Sequence, residues 1–537
     1  MSREQMIHDA AMEIMREVGV KIHNEKAREI LKNNGIQVEG DIAYFTEEQV
    51  MHWVKMAPES FTIYARNPKY NMYMGGDQVN PAATYGCAFI DDKDGTRRRG
   101  TMADYVKCLK LIHANEDYSI NGGIIVQPAD VPEETAAMEM FYATLEYSDK
   151  AIMLPTGFKK EMEAILEASA ELFGGKDALA EKPRMIALIN TVSPLTLDER
   201  MLDCLMLLAE YGQPAILCPA SMLGATSSIS MAGTIASGTA ESLAGIVIAQ
   251  MIRPGTPVVF GIQSTAADMK GGITFACAAP EGAAMQGFST NMAKFYGMPS
   301  RGGGCQTDAP VINCQAGYES MLTFYSAYSH GINIVMEAGG VMDSVNSTSI
   351  QKMIVDFEII RQVKAACAPI EVNEETLNLE EIKEIGHDGS FITADSTMEH
   401  FTDLYSPKVG PRNSKSDTYF EDSIDKEIER LLEEYEENRP ENDPAAMEKV
   451  RAVLVKPAWT PMILKRFSLC DWKYRNGGNG YEDYRRKTLV CGGALRSDGG
   501  NHGVCAVPAL QFLRSDVRTF YGIQACGFTG YSKQLYR

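Results

Sequence analysis

A chain of 537 residues has room for one barrel-sized domain or for two to three ordinary ones, and its 45% hydrophobic and 23% charged residues exclude disordered, collagenous and membrane-embedded classes. With 51 Lys and Arg against 71 Asp and Glu, a net charge of −20 and no basic run longer than Arg97-Arg98-Arg99, the chain lacks the clustered positive footprint that a nucleic acid needs. The opening MSREQMIHDAAMEIMREVG alternates charged and apolar residues without a signal-peptide core, and no run of about 18 apolar residues spans a membrane, so a cytoplasmic location is expected.

The first sixty residues predict two or three helices that cap a larger body, with Met6, Ala10, Ile14 and Val18 on one stripe and Thr46 capping another helix. Phe61–Ala65 and Tyr70–Met74, parted by Asn67-Pro68, read as a hairpin. From Ala82 onward short apolar runs at about 82–89, 119–126, 151–154, 184–189, 214–218, 256–261, 298–303 and 332–337 alternate with helical patterns. Those patterns lie near 101–115, 134–147, 159–174, 197–211, 238–253, 280–296, 315–330 and 348–366, with Thr101, Thr196, Pro280 and Ser347 as start signals. Eight strand–helix pairs without doubling back predict an α/β fold of the (β/α)8 TIM-barrel type. A doubly wound open sheet is the rival, but it would put a Gly-rich nucleotide loop after its first strand, where this chain has Asp91-Asp92-Lys93-Asp94-Gly95.

The expected organisation is a helical cap and hairpin over 1–80, a barrel over 81–370, a C-terminal helical extension over 371–467 and an atypical tail over 468–537. Within the extension, the acidic helices Glu371–Glu384 and Lys426–Glu437 read as solvated faces, and a last helix is expected near 444–455. The tail holds ten Lys and Arg against five Asp and Glu, eleven glycines and four cysteines with little periodicity, and reads as read-through or frame-shifted sequence without function. All twelve cysteines stand without a CxxC pair, which predicts reduced, mostly buried thiols and no zinc or iron–sulfur site.

A barrel builds its site at the C-terminal ends of its strands. Those ends carry Asp91, Gln127, Thr156 with Phe158, Asn190, Ser221, Gln263, Cys305-Gln306-Thr307-Asp308 and Glu337. Amides and hydroxyls with one or two carboxylates position a substrate rather than attack it. A Ser–His hydrolase is disfavoured because the one histidine near a strand end, His330, lies at the opposite mouth. Arg301-Gly302-Gly303-Gly304 reads either as a phosphate cradle or as a place of close backbone approach. Phe89, Phe158 and Phe260 are candidates for a cage that holds a quaternary ammonium, helped by Asp308 and Glu337, whereas Phe324 and Tyr328 read as barrel wall. His387 and His400 sit in a non-periodic segment that could fold back over the mouth.

Three blocks in order, RGGGCQTDAPVINCQAGYES (Arg301 to Ser320), AGGVMDSVNSTSIQKMIVDFEI (Ala338 to Ile359) and GHDGSFITADSTMEHF (Gly386 to Phe401), resemble the trimethylamine methyltransferase family of corrinoid-dependent methyltransferases. The resemblance runs from the N-terminal helices to about residue 465 and leaves out 468–537. It implies a barrel that moves a methyl group from a methylated amine to the Co(I) of a separate small corrinoid (cobalamin) protein docked on the mouth, with no cofactor held tightly by this chain. The family's founding members carry a pyrrolysine around Met342 to Ser344, where this chain has standard residues. That departure points to the branch that resembles quaternary-amine demethylases acting on betaines. Carried over by the resemblance are Asp308, Gln315, Glu319, His387 and His400, with Asp308 and His387 as the catalytic candidates. Gln263, Phe260, Phe158, Phe89, Gln127, Asn190, Arg301, Gln306, Glu337 and His400 are the candidates for substrate binding, Arg301 as the receiver of a betaine carboxylate. A quaternary nitrogen is already a leaving group, so the task is to hold N–CH3 in line in a dry site. The alternatives are a methyltetrahydrofolate:corrinoid enzyme with Asn190 and Asp308 on the pterin, trimethylamine demethylation without pyrrolysine, a zinc-dependent thiol methyltransferase, and an amine-binding protein without activity. The acidic helical extensions are compatible with a homo-oligomer.

Overall fold

The computed structural model describes residues 1–270 and 272–456; the tail 468–537 lies outside the described residues. Met1–Val453 forms one compact unit. The eight barrel strands are β1 (Asn80–Pro81), β2 (Ile120–Gly122), β3 (Ala151–Leu154), β4 (Met185–Asn190), β5 (Ala215–Cys218), β6 (Val258–Gly261), β7 (Ser300–Gly303) and β8 (Ile334–Met336). They form one parallel sheet in the order β1-β8-β7-β6-β5-β4-β3-β2. Two backbone bonds join its ends, Gly86 N–H to the Ile124 carbonyl at 2.7 Å and Gln127 N–H to the Cys87 carbonyl at 2.8 Å. The first strand is shorter than the 82–89 run predicts, because the chain leaves the barrel wall and Phe89–Asp91 joins a small sheet at the mouth with Arg97–Arg99, Val341–Met342 and Ser347–Thr348. A second mouth sheet joins Met222–Leu223, Thr265–Asp268 and Thr274–Ala276.

Each strand is followed by its helix: α1 (Met102–Ala114), α2 (Ala136–Tyr147), α3 (Lys159–Phe173), α4 (Glu199–Glu210), α5 (Met231–Ile252), α6 (Pro280–Phe295), α7 (Cys314–Ser329) and α8 (Ile350–Cys367). Thr101 caps α1 in a reciprocal box with Asp104, and Pro280 opens α6, as the sequence suggests. Two start signals shift by two residues: Asp198 rather than Thr196 caps α4, and Ser349 rather than Ser347 precedes α8. Thr196 and Ser347 instead pair in short strands, where β-branched and small hydroxyl residues are at ease.

The cap contains three helices, Arg3–Glu17, Glu25–Asn33 and Glu47–Val54, together with three strands the helical reading misses: Val20–Ile22, Gln37–Glu39 and Ile42–Tyr44. Its first helix buries Ile7, Ala11 and Met15, whereas Met6 and Val18 are 59% and 56% exposed. The predicted stripe is thus one residue out of phase, since two i, i+4 rows of apolar residues lie side by side and only packing selects between them. The cap packs on α5, which explains why this 22-residue helix, long and apolar enough to cross a membrane, is buried almost all round. The hairpin Phe61–Ile63 with Met72–Met74 adds its apolar face to the barrel core.

After α8 an arm over 370–404 folds on itself, helical over Leu379–Ile385 and Asp395–His400 rather than from Glu371. The acidic helix Tyr419–Glu437 begins earlier than expected and is not wholly solvated: Ile424, Ile428 and Leu431 pack toward α1 and α8. A last helix covers Pro444–Leu454.

Candidate active site

Side chains alternate along a strand, so one face of each barrel strand points inward. Pairing Leu188 with Ile216, Asn190 with Cys218 and Gly261 with Arg301 puts these positions in register on neighbouring strands. Arg301 is 1% exposed. Its side chain lies across β6, where a Cβ at Gly261 would stand 2.6 Å from the arginine's own Cβ, so only glycine gives it room. One guanidinium nitrogen, Nη2, donates to both Glu337 carboxylate oxygens at 2.8 Å, and Nη1 donates to the Gln263 carbonyl oxygen. Burial raises the Glu337 carboxyl and Arg301 opposes that rise. Glu337 takes a left-handed φ of +56° at the end of β8, a conformation costly for a non-glycine residue and characteristic of functional sites.

Because the Gln263 oxygen is taken by Arg301, its amide nitrogen must point elsewhere. A Cβ on Gly303 would lie 2.7 Å from Gln263 Nε2 and 2.7 Å from Gln306 Nε2, so the two amides meet over this glycine. Gln306 is fully buried, and neither its Nε2 nor its Oε1 has a partner within the protein. A buried amide without a partner carries a desolvation penalty of about 1–3 kcal/mol per group, which is relieved when solvent or a ligand supplies the missing bonds. On the other side, Tyr85 donates to the Leu154 carbonyl at 3.0 Å and lies 3.1 Å from Thr156 Oγ1, its ring against Gly123 and Met153. Burial pushes the Tyr85 hydroxyl up to about 12, so it stays protonated.

Asp308 holds three loops together. It accepts from Cys277 N–H at 2.9 Å and Ala278 N–H at 3.3 Å after β6, and from Ser344 Oγ at 2.7 Å after β8. Its own N–H donates to Glu319 Oε2 at 2.9 Å, whose other oxygen receives Gln315 Nε2 at 2.9 Å. Burial raises the Asp308 carboxyl against these stabilising bonds. Asp308 therefore acts as a latch, and Gln315 and Glu319 support it.

The other candidates take the following places. Phe260 is fully buried but stacks on Tyr296 at 5.7 Å in the layer between β6 and α6, because its place on the strand is one residue from the inward Gly261. Phe89 sits in the mouth sheet under the Arg99 guanidinium at 5.6 Å, and Phe158, 43% exposed, lies under Arg200 at 5.4 Å, so both rings already face a cation of the protein. Gln127 uses its backbone to close the barrel. Asn190 is half-buried at the end of β4, beside Cys218. His387 and His400 are exposed on the arm, and neither bonds to a barrel residue; His400 Nδ1 pairs with Asp403 at 2.9 Å. Within the arm Ser396 bonds to Glu381, and just beyond it Tyr405, Lys408 and Val409 bond to Glu358 of α8. Arg301 differs from expectation, since its charge is compensated by Glu337. Sequence reasoning missed Tyr85 and Gly261, although Tyr85 lies inside the run read as the first strand.

The basin offers no activated nucleophile. Burial raises the thiols of Cys87, Cys218 and Cys277. Among the described residues no group of three or more His, Cys, Asp and Glu is placed to hold a metal. What the ends of β6, β7 and β8 bring together is a neutralised ion pair and two convergent amides, groups that can orient a small polar molecule.

The family model described as trimethylamine methyltransferase (MTTB) matches residues 1–456. The chain belongs to this family. Similar members include a glycine betaine methyltransferase of Desulfitobacterium hafniense (strain Y51), 38% identical over 422 residues that cover 78% of this chain and 88% of that protein. A proline betaine:corrinoid methyltransferase of Eubacterium limosum is 26% identical over 452 residues, 81% of this chain and 91% of that one. The trimethylamine methyltransferase MttB of Desulfitobacterium hafniense (strain DSM 10664 / DCB-2) is 27% identical over 414 residues, 76% and 82% of the two chains. As a trimethylamine methyltransferase family member the chain is an enzyme of methyl transfer.

Proposed function

We propose that this family member transfers a methyl group from a betaine-type quaternary ammonium compound to the cobalt of a corrinoid carried by a separate protein. The observation that carries the reading is the pair of amides over Gly303: Gln263, oriented by Arg301, and Gln306, without a partner in the protein, form two N–H2 donors that a substrate carboxylate can bridge. This role replaces the one expected of Arg301. The quaternary nitrogen then rests toward the Tyr85 ring and the Glu337 side, where a cation is favoured by the ring face and tolerated by the adjacent carboxylate. When the partner docks, its reduced corrinoid supplies the nucleophile; the residues of this chain bind, orient and exclude water from the donor, and no proton transfer to carbon is required. Where the family's founding members carry pyrrolysine, Ser344 bonds to Asp308 and Asp343 pairs with Arg97 at 2.6 Å, so this loop is used for closure.

The partner reading is supported by the mouth itself, where Ile229, Met269, Ile273 and Val311 are all more than half exposed on the loops after β5, β6 and β7. We place the enzyme in the cytoplasm with its corrinoid protein. The arm exposes Ile370, Val372, Ile392, Met398, Phe401 and Leu404, apolar residues that suit a second copy of the chain. The test of function is anaerobic methylation of a Co(I) corrinoid protein, followed by its visible spectrum, with glycine betaine, proline betaine, carnitine, γ-butyrobetaine, trimethylamine and methyltetrahydrofolate as donors. Conversion with a carboxylate-bearing quaternary amine is expected. Conversion with methyltetrahydrofolate alone, or with trimethylamine alone, would overturn the reading.

A further inference from the structure

Behind the basin lies a second buried ion pair. Lys352 and Asp356, four residues apart on α8, are both fully buried, and the ammonium lies against the carboxylate. Each partner also grips the end of a strand. Lys352 Nζ donates to the Cys305 carbonyl at 3.2 Å, an oxygen that Ser320 Oγ reaches as well at 3.1 Å. On the other side, Gly340 N–H donates to Asp356 Oδ2 at 2.7 Å.

The gripped positions are the unusual ones. Cys305 has φ +50° and directly precedes Gln306; Gly340 has φ +93° and follows Glu337, itself at +56°, by three residues. Left-handed turns at non-glycine residues cost of order 1–3 kcal/mol each and persist only where the surroundings over-determine them. A buried ion pair is a poor source of stability, since apolar residues of similar volume are commonly as good or better. Burial pushes the Asp356 carboxyl up to about 6, which shows how little this wall favours a charge. The pair is thus unexplained by stability, and its contacts fall on the two turns that aim the basin.

We propose that Lys352 and Asp356 are positioning residues: together they hold the Cys305 and Gly340 turns so that Gln306 and Glu337 converge on the bound amine. The kinetic part of this inference rests on the methyl-transfer reading above; its geometric part does not.

The test is the double variant Lys352→Met/Asp356→Leu, which fills the same space without charge. Its thermal midpoint is expected to stay within a few degrees of the parent or to rise. The KM for the amine should rise at least tenfold while the KM for the corrinoid protein stays unchanged, a split that general loosening would not produce. Its crystal structure should show Cys305 relaxed to negative φ and Gln306 displaced from Gly303. A folded double variant with parental KM for the amine and Gln306 in place overturns the proposal. Should it fail to fold, Lys352→Met/Asp356→Asn, which keeps an acceptor for Gly340 N–H but removes both charges, is measured in the same way against the same outcomes. If the parent converts no donor, the methyl-transfer reading fails by itself, and the crystal structure alone decides the clamp: an unmoved Cys305 and Gln306 would refute it.

Discussion

Replacing Gln306 by leucine separates a ligand-binding amide from a structural one. In most cores, removing a buried glutamine breaks bonds and destabilises the fold. Here the side chain is fully buried and both terminal atoms lack a protein partner, so Gln306→Leu removes two groups that contribute no intramolecular bond and adds apolar contact of similar volume. Each unsatisfied group costs about 1–3 kcal/mol, partly offset by solvent that reaches the basin; the ligand-free variant should therefore be unchanged or more stable by up to about 2 kcal/mol. Binding should move the other way. A hydrogen bond to a charged acceptor contributes about 1.5–3 kcal/mol, so the Kd for a betaine should weaken about 10- to 150-fold. Urea denaturation of the ligand-free proteins and calorimetric titration with glycine betaine read the two effects separately. A variant that loses more than about 1 kcal/mol and still binds betaine normally would refute the assignment.

Glu337→Gln strands the buried Arg301 guanidinium and should destabilise the protein by about 3–5 kcal/mol, whereas Arg301→Met combined with Glu337→Leu should recover most of that loss while abolishing activity; denaturant midpoints and turnover check both. Asp308→Ala opens the latch between the loops after β6, β7 and β8, and should cost about 2–4 kcal/mol and raise hydrogen exchange at Cys277, Ala278 and Ser344. Burial, reinforced by Lys150, holds His113 down at about 4 against an ordinary value of 6.5. Its contribution is complete above 6.5 and is lost as the pH falls toward 4, by roughly 3 kcal/mol, so unfolding followed from pH 7.5 to 4.5 should show an acid loss that His113→Phe flattens.

The barrel was legible from sequence because many of its elements obey local rules: β3, β4, β5, β6 and β8 are short, mostly apolar runs, and α1, α4, α5 and α7 open on residues whose side chains cap them. The three blocks that carry the family resemblance are equally local. Glycines 261 and 303 are visible as letters, yet their purpose emerges only when β6, β7 and the following loop meet, since the room they provide is for side chains from other strands. The same holds for phase. Met6 and Ile7 offer equivalent rows on one helix, and Phe260 and Gly261 equivalent sides of one strand; the neighbouring layer decides which is buried where. Charge followed the same division. An arginine near a strand end reads as an anion receiver, but Glu337, 36 residues away, neutralises it, which is why the proposed reading gives that part to the adjacent amides. Composition, periodicity and motif thus determined the architecture and the class of chemistry, because those depend on near neighbours in the chain. The identity of the groups facing the basin was left to tertiary packing, because facing is a relation between strands.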